Sequence, residues 1–361
     1  MIAKVKNVIV NYCRYIKYRY LNNDSIETKD NNDENGIVYI DISSDIFHRY
    51  LYLFVKFFHL SGYKIYFKAN FSFVSRISNR YSKLLLEERL ITFCDYLPVD
   101  ATLILCDKVD HKYKNGKFLS ADYFSSLISK DINAASFFHV PMAMHPAAYT
   151  LGKWNVDFIG EHKRSIFFAG NFDNKLYSSF HEGNNFNMLG RLEIYQIVKN
   201  LKETILPLKF EDLLNNNFLN KIVIVDRENF AIPIESLRAT ISRFSFFIAC
   251  PGIVQPLSHN VIEAMSVGTI PIIHQDYATL FSPPLSDGIN SVVYNDSNFL
   301  GRIMECLNMD VSKINGMVSE VSKYYSEFLT PCSVVENLMS NCSKVVFLNA
   351  EHTSVRLLNK G

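Results

Sequence analysis

Between Phe244 and His274 the chain reads FSFFIACPGIVQPLSHNVIEAMSVGTIPIIH, and its residue types suit the holding of a phosphate. An aromatic, apolar run from Phe244 to Ala249 breaks at Pro251-Gly252, and a second apolar run, Thr269 to His274, closes the stretch. Between them Val261, Ile262 and Met265 recur at helical spacing, Asn260 and Glu263 form an Asn-x-x-Glu start signal, and Gly268 supplies the stop. Strand, glycine loop, helix and strand make one βαβ unit. It aims a helix N-terminus and a turn of free amides at one spot, bordered by Ser258, His259 and Asn260. Each residue also has a plainer role open to it: Ser258 and Asn260 as caps, Glu263 as a capping-box partner, Gly252 and His259 as turn residues.

These residues require a scaffold, and the alternation of strands with helices supplies one. Residues 1–35 read as a basic segment followed by a polar linker from Asn22 to Asn35. Over 36–150 strands are expected at Gly36 to Asp41, Lys64 to Ala69, Leu90 to Cys94 and Ala101 to Cys106, with helices at Ile46 to Leu60, Arg76 to Arg89 and Asp122 to Lys130. The Pro-punctuated stretch Phe137 to Trp154 reads as a connection. Over 151–330 the strands Ser165 to Gly170, Lys221 to Asp226 and Ser291 to Tyr294 accompany the central unit, with helices starting at Arg191 and Pro233. Residues 331–361 read as a last helix and a tail. Strands separated by helices imply parallel sheets, hence an α/β chain with two Rossmann-like domains and C-terminal helices. No Gly-x-Gly-x-x-Gly follows the first strand, which disfavours a dinucleotide dehydrogenase, and no Gly-x-x-x-x-Gly-Lys is present for a P-loop kinase.

The ordered set Cys250-Pro251-Gly252, Ser258, Glu263-Ala264, Gly268 and Ile270-Pro271-Ile272-Ile273 resembles the donor-binding half of exostosin-like glycosyltransferases. Upstream, Arg164-Ser165-Ile166-Phe167-Phe168-Ala169-Gly170-Asn171 followed by Arg191 looks like the segment that opens the donor domain of that family. The likeness spans roughly the second half of the chain. It implies a GT-B fold with a cleft between the two domains, a nucleotide sugar bound as substrate with no resident cofactor, Glu263 on the donor ribose and the preceding loop on the diphosphate. It further implies transfer to a glycan or lipid-linked acceptor in the synthesis of a surface polysaccharide such as capsule or O-antigen.

Glycosyl transfer needs a stabilised leaving diphosphate and, for inversion, a base on the acceptor hydroxyl. The sequence has no Asp-x-Asp to hold a metal, and its Cys and His residues show no zinc spacing, so no metal is expected. Charge stabilisation then falls to helix dipole, loop amides and the cations Lys163, Arg164, Arg191 and Arg227, with His259 placed to touch phosphate or sugar. Arg191 is preferred because the resemblance falls on it too. Asp41 and Asp45, after the first strand, and His145, in the connection, are the candidate bases; each reads equally as a cap or turn residue. A sugar-nucleotide epimerase of the UDP-N-acetylglucosamine 2-epimerase type and a non-catalytic glycan-binding protein are the competing readings.

Composition sets the class. With 361 residues, 48 % hydrophobic and 20 % charged, the chain has material for two or three globular domains. A net charge of +1 disfavours a general nucleic-acid binder. The seven scattered cysteines read as reduced residues of a cytoplasmic protein. Residues 1–21 carry Lys4, Lys6, Arg14, Lys17 and Arg19 among tyrosines and aliphatics, with no acid. Two readings stand side by side: a segment resting on an anionic membrane surface, and a helix packed on its own domain.

Overall fold

The computed structural model describes residues 2–21, 35–108, 113–128, 137–156, 163–177 and 186–359. The chain forms two compact units, one comprising Met1–Val140 with Pro331–Asn359 and the other Pro141–Thr330. In chain order the strands are β1 (Gly36–Asp41), β2 (Tyr63–Lys68), β3 (Thr92–Cys94), β4 (Ala101–Cys106), β5 (Lys117–Ser120) and β6 (Phe137–His139). Next come β7 (Lys163–Gly170), β8 (Thr204–Ile205), β9 (Ile222–Asp226), β10 (Phe244–Ile248), β11 (Ile270–His274) and β12 (Val292–Tyr294). The last is β13 (Val345–Phe347).

The first unit holds a parallel sheet ordered β3-β2-β1-β4-β5-β13-β6. Its strands are near-continuous apolar runs, such as Ile37-Val38-Tyr39-Ile40, because helices cover both faces of a parallel sheet. The helix Arg49–Leu60 buries Tyr50 through Val55 with Phe57 and Phe58, and the largely buried Lys56 side chain is compensated by pairing with Glu88 at 2.7 Å. The second unit has its own parallel sheet, ordered β12-β11-β10-β7-β9-β8. Its central strands β10 and β11 are buried at every position. The α/β class and the two Rossmann-like domains, each built on its own parallel sheet, are thus observed.

Several expectations change. The stretch Phe137 to Trp154 is no plain connection: it contains β6 and the helix Pro146–Thr150, and the division between units falls between Val140 and Pro141. The expected last helix is present as Pro331–Ser340, but the residues after it are no tail. The helix Pro331–Ser340 packs against Arg49–Leu60, and β13 inserts between β5 and β6. Lys117 ties the strand in through Asn341 O at 2.6 Å and Ser343 O at 2.7 Å. The linker expected at 22–35 lies, but for Asn35, outside the described residues. None of the seven cysteines is in a disulfide, and Cys94, Cys106, Cys250 and Cys306 are buried.

The N-terminal segment forms an α-helix over Ile2–Ile16 that runs on as a π-helical turn over Lys17–Leu21. It is docked on the first unit. Arg14 donates to Ser75 O at 3.1 Å, Tyr15 to Ala69 O at 3.3 Å, and Arg19 pairs with Asp95 at 2.6 Å. Tyr15 also packs its ring on Phe71, centroids 5.3 Å apart.

Candidate functional site

Strand β7 pairs with β9 on one side and β10 on the other, so the chain order reverses across it. In open α/β sheets ligands occupy the crevice at the carboxyl ends of the strands at such a reversal. Gly170 ends β7, and Cys250-Pro251-Gly252 follows β10. The short helix His259–Met265 starts beside both, and Asn260 Nδ2 ties it to Ala169 O at 3.1 Å.

Glu263 lies at the centre of this arrangement and is only 1 % exposed. Its Oε1 accepts the His145 backbone N–H at 3.1 Å and lies 3.1 Å from His259 Nδ1. The rings of His145 and His259 meet edge to face, 5.2 Å between centroids. Among the described residues the buried Oε2 has no hydrogen-bond partner. The capping-box role of Glu263 is overturned. The helix is capped at Ser258, whose side chain makes no capping bond, and the Asn260 side chain reaches away to β7. Glu263 sits beyond the first turn, and its carboxylate turns to His145 and His259 rather than to the helix end.

The expected turn of free amides is partly closed. Gly252 N–H donates to Pro256 O at 3.2 Å and Ser258 N–H to the Tyr277 hydroxyl at 2.7 Å, because a buried loop must satisfy its own donors. Gly252 is required there by space: a Cβ would stand 2.7 Å from Gln255 O. At Gly170 a Cβ would fall 2.8 Å from Phe168 Cζ and 3.4 Å from Arg191 Nη1.

Arg191 is buried and acts as a tie across the crevice. Its Nε donates to Pro251 O at 3.2 Å and its Nη1 to the Tyr177 hydroxyl at 2.5 Å. The guanidinium lies over the rings of Tyr177, at 4.4 Å, and Phe168, at 5.5 Å. An arginine so placed fixes the Pro251-Gly252 loop against the end of β7. Arg227 follows β9 with its backbone N–H on Gly170 O at 2.9 Å and its side chain exposed, an available cation at the same edge. Arg164 is elsewhere: at the start of β7 it binds Asn220 Oδ1 at 2.7 Å, at the amino end of the sheet. The side chain of Lys163 lies outside the described residues.

The candidate bases are dispersed. His145 belongs to the second unit, and its Nδ1 accepts the Ala147 N–H at 3.2 Å, capping Pro146–Thr150. Asp41 and Asp45 lie in the first unit. Asp41 is committed to a network with Lys68 Nζ at 2.6 Å and the Tyr113 hydroxyl at 2.8 Å. Burial, with Asp41 beside it, pushes the Tyr113 phenol well up. Asp45 Oδ2 meets Asn79 Nδ2 and Ser82 Oγ at the start of the helix Arg80–Glu87, while its buried Oδ1 has no partner among the described residues.

Tyr177 and Tyr277 were not legible as site residues. Neither stands in a motif: the Tyr177 hydroxyl accepts from Arg191 and the Tyr277 hydroxyl from the Ser258 N–H. No three His, Cys, Asp or Glu side chains among the described residues gather as a metal-ion set.

Neither a protein-family model nor a curated protein sequence matches the chain. Among solved structures, Anabaena Alr3699/HepE in complex with UDP is similar at a TM-score of 0.42 and 10 % identity, over 84 % of this chain and 98 % of that one. The same protein with UDP and glucose gives a TM-score of 0.40, and with UDP-glucose 0.39, each at 12 % identity over 84 % of this chain and 99 % of that one.

Proposed function

We propose that the chain is a glycosyltransferase that takes a sugar from a nucleotide-sugar donor. The unpartnered, buried Oε2 of Glu263 at the strand-order reversal of the second unit carries this reading. An acceptor-only oxygen left without a donor costs about 1–3 kcal/mol, so the position calls for a ligand hydroxyl. A ribose supplies one, in keeping with the donor-ribose role that the sequence resemblance implies for Glu263. The diphosphate would follow along the Pro251-Gly252 loop, which Arg191 holds, with Ser258, His259 and the exposed Arg227 as its polar neighbours. No Asp-x-Asp is present, so the leaving charge is met by these groups without a metal.

For an inverting reaction Asp45 is the preferred base among the candidates, since its Oδ1 is uncommitted whereas Asp41 is neutralised by Lys68. The acceptor is a glycan or a lipid-linked oligosaccharide of a surface polysaccharide, capsule or O-antigen, on the cytoplasmic side. There the basic N-terminal segment rests on an anionic membrane. The experiment is a thermal-shift and calorimetric panel of UDP, GDP, CMP and TDP, since a ligand of the native state alone raises Tm by linkage. One nucleotide should bind, and turnover should persist in EDTA. Binding of none would defeat the reading; turnover of the nucleotide sugar without acceptor would favour the epimerase.

A further inference from the structure

The N-terminal helix is amphipathic in an unusual sense, because its polar tips face the protein. Asn11, Arg14, Tyr15, Tyr18 and Arg19 form the side turned toward the first unit. Arg14, Tyr15 and Arg19 end there on Ser75 O, Ala69 O and Asp95. The opposite side is apolar. Val8, Tyr12 and Ile16 recur four residues apart with Ile9 beside them, and Val8, Ile9 and Tyr12 are 65 %, 57 % and 58 % exposed. Lys6, Cys13 and Lys17 border this stripe and are also exposed. The first unit continues the stripe with Phe71, 46 % exposed beneath Tyr12 and Tyr15, and with Tyr96, 74 % exposed next to the Asp95 that Arg19 holds.

We infer that this outward stripe, with Phe71 and Tyr96, is the surface by which the first unit seats on a bilayer bearing anionic headgroups. The charge pattern selects that occupant. Residues 1–21 contain five cations and no acid. Two of the cations are directed onto the protein, and the exposed Lys6 and Lys17 stand at the border of the apolar stripe. That is the arrangement of a helix lying in a membrane interface, with aliphatics inserted, tyrosines at headgroup level and lysines on the phosphates. Because Arg14, Tyr15 and Arg19 lock the helix to its unit, seating would also fix how that unit faces the membrane. A freely tethered anchor would leave that orientation open. The inference rests on the membrane reading of the N-terminal segment and is independent of the transferase chemistry.

The test is sedimentation of the full chain with phosphatidylcholine vesicles, with and without phosphatidylglycerol, at low and high salt. Two double variants accompany it, Val8→Asp with Ile9→Asp and Lys6→Glu with Lys17→Glu; all four positions are exposed, and an unchanged circular-dichroism melt checks the fold independently. Binding should require phosphatidylglycerol, fall with salt, and weaken by about tenfold or more in either variant. Hydrogen exchange of the unaltered chain should show residues 6–20 gaining protection when anionic vesicles are added, and not with neutral ones. Undiminished binding in the variants, or no vesicle-dependent protection, overturns the stripe while leaving a membrane contact elsewhere. Absence of binding to any vesicle overturns both, and a concentration-dependent dimer that Val8→Asp with Ile9→Asp dissolves overturns the stripe.

Discussion

Glu263 carries the functional argument, and its partners define what a substitution should do. Glu263→Gln keeps the shape and an acceptor for the His145 N–H, yet removes the charge that a ribose hydroxyl would meet. Nucleotide binding should weaken by about 1.5–3 kcal/mol, read by calorimetry, with little change in the melt of the free protein. Unchanged affinity would take Glu263 out of the site. Gly252→Ala tests the loop by space alone, since the new methyl would meet Gln255 O. A backbone oxygen cannot swing aside as a flexible side chain can, so the loop must shift. The variant should lose about 1–3 kcal/mol of stability in urea titrations and bind nucleotide less well. Much of this was legible in the sequence, because Gly170, Arg191, Gly252 and Glu263 stand in ordered motifs. The role of each was less so. The Asn260-x-x-Glu263 spacing fits a capping box as well as a buried carboxylate, and only the fold brings His145 to Glu263 across 118 residues of chain.

The elements that escaped sequence reading are the short ones. β6 has three residues and β5 four, with Lys117 and Ser120 at its ends, too few to show a period of two. They are strands because a neighbour offers a ladder, and that is tertiary information. β6 also carries a titrating group. His139 stacks on Phe347 at 4.8 Å and meets Ser126 Oγ at 2.7 Å, and burial pushes its pKa down to about 4. A base depressed in the folded state leaves the unfolded chain binding more protons between that value and about 6.5. Its contribution is therefore intact above the unfolded value and is lost as the pH falls toward 4. The urea midpoint of the first unit should drop across this window. His139→Gln should flatten the drop, and an unchanged slope would mean that other groups set it.

At the scale of the molecule the two units are not two successive halves of the chain. The first is completed by residues that come after all of the second, and β13 has both of its edges paired. A chain ending at Thr330 should therefore keep the second unit, with its crevice and nucleotide binding. It should lose the cooperative transition of the first unit, although nearly all of that unit's residues remain. Circular dichroism and limited proteolysis would read this, and a protease-resistant fragment spanning 36–140 would contradict it.

The interrupted first unit also has a consequence for the order in which the protein comes into being. A ribosome delivers β1 to β6 early, yet the ladder between β5 and β6 cannot close until Phe347 has left the exit tunnel. The second unit, continuous in the chain, can reach its native state while the first still waits with two unpaired strand edges. Nascent domains usually fold in the order in which they emerge, and open edges are templates for wrong partners. For this chain the amino-terminal sheet is the last to be finished. Its exposure time is set by the time needed to translate the roughly two hundred residues between β6 and β13, about 10–40 s at 5–20 residues per second.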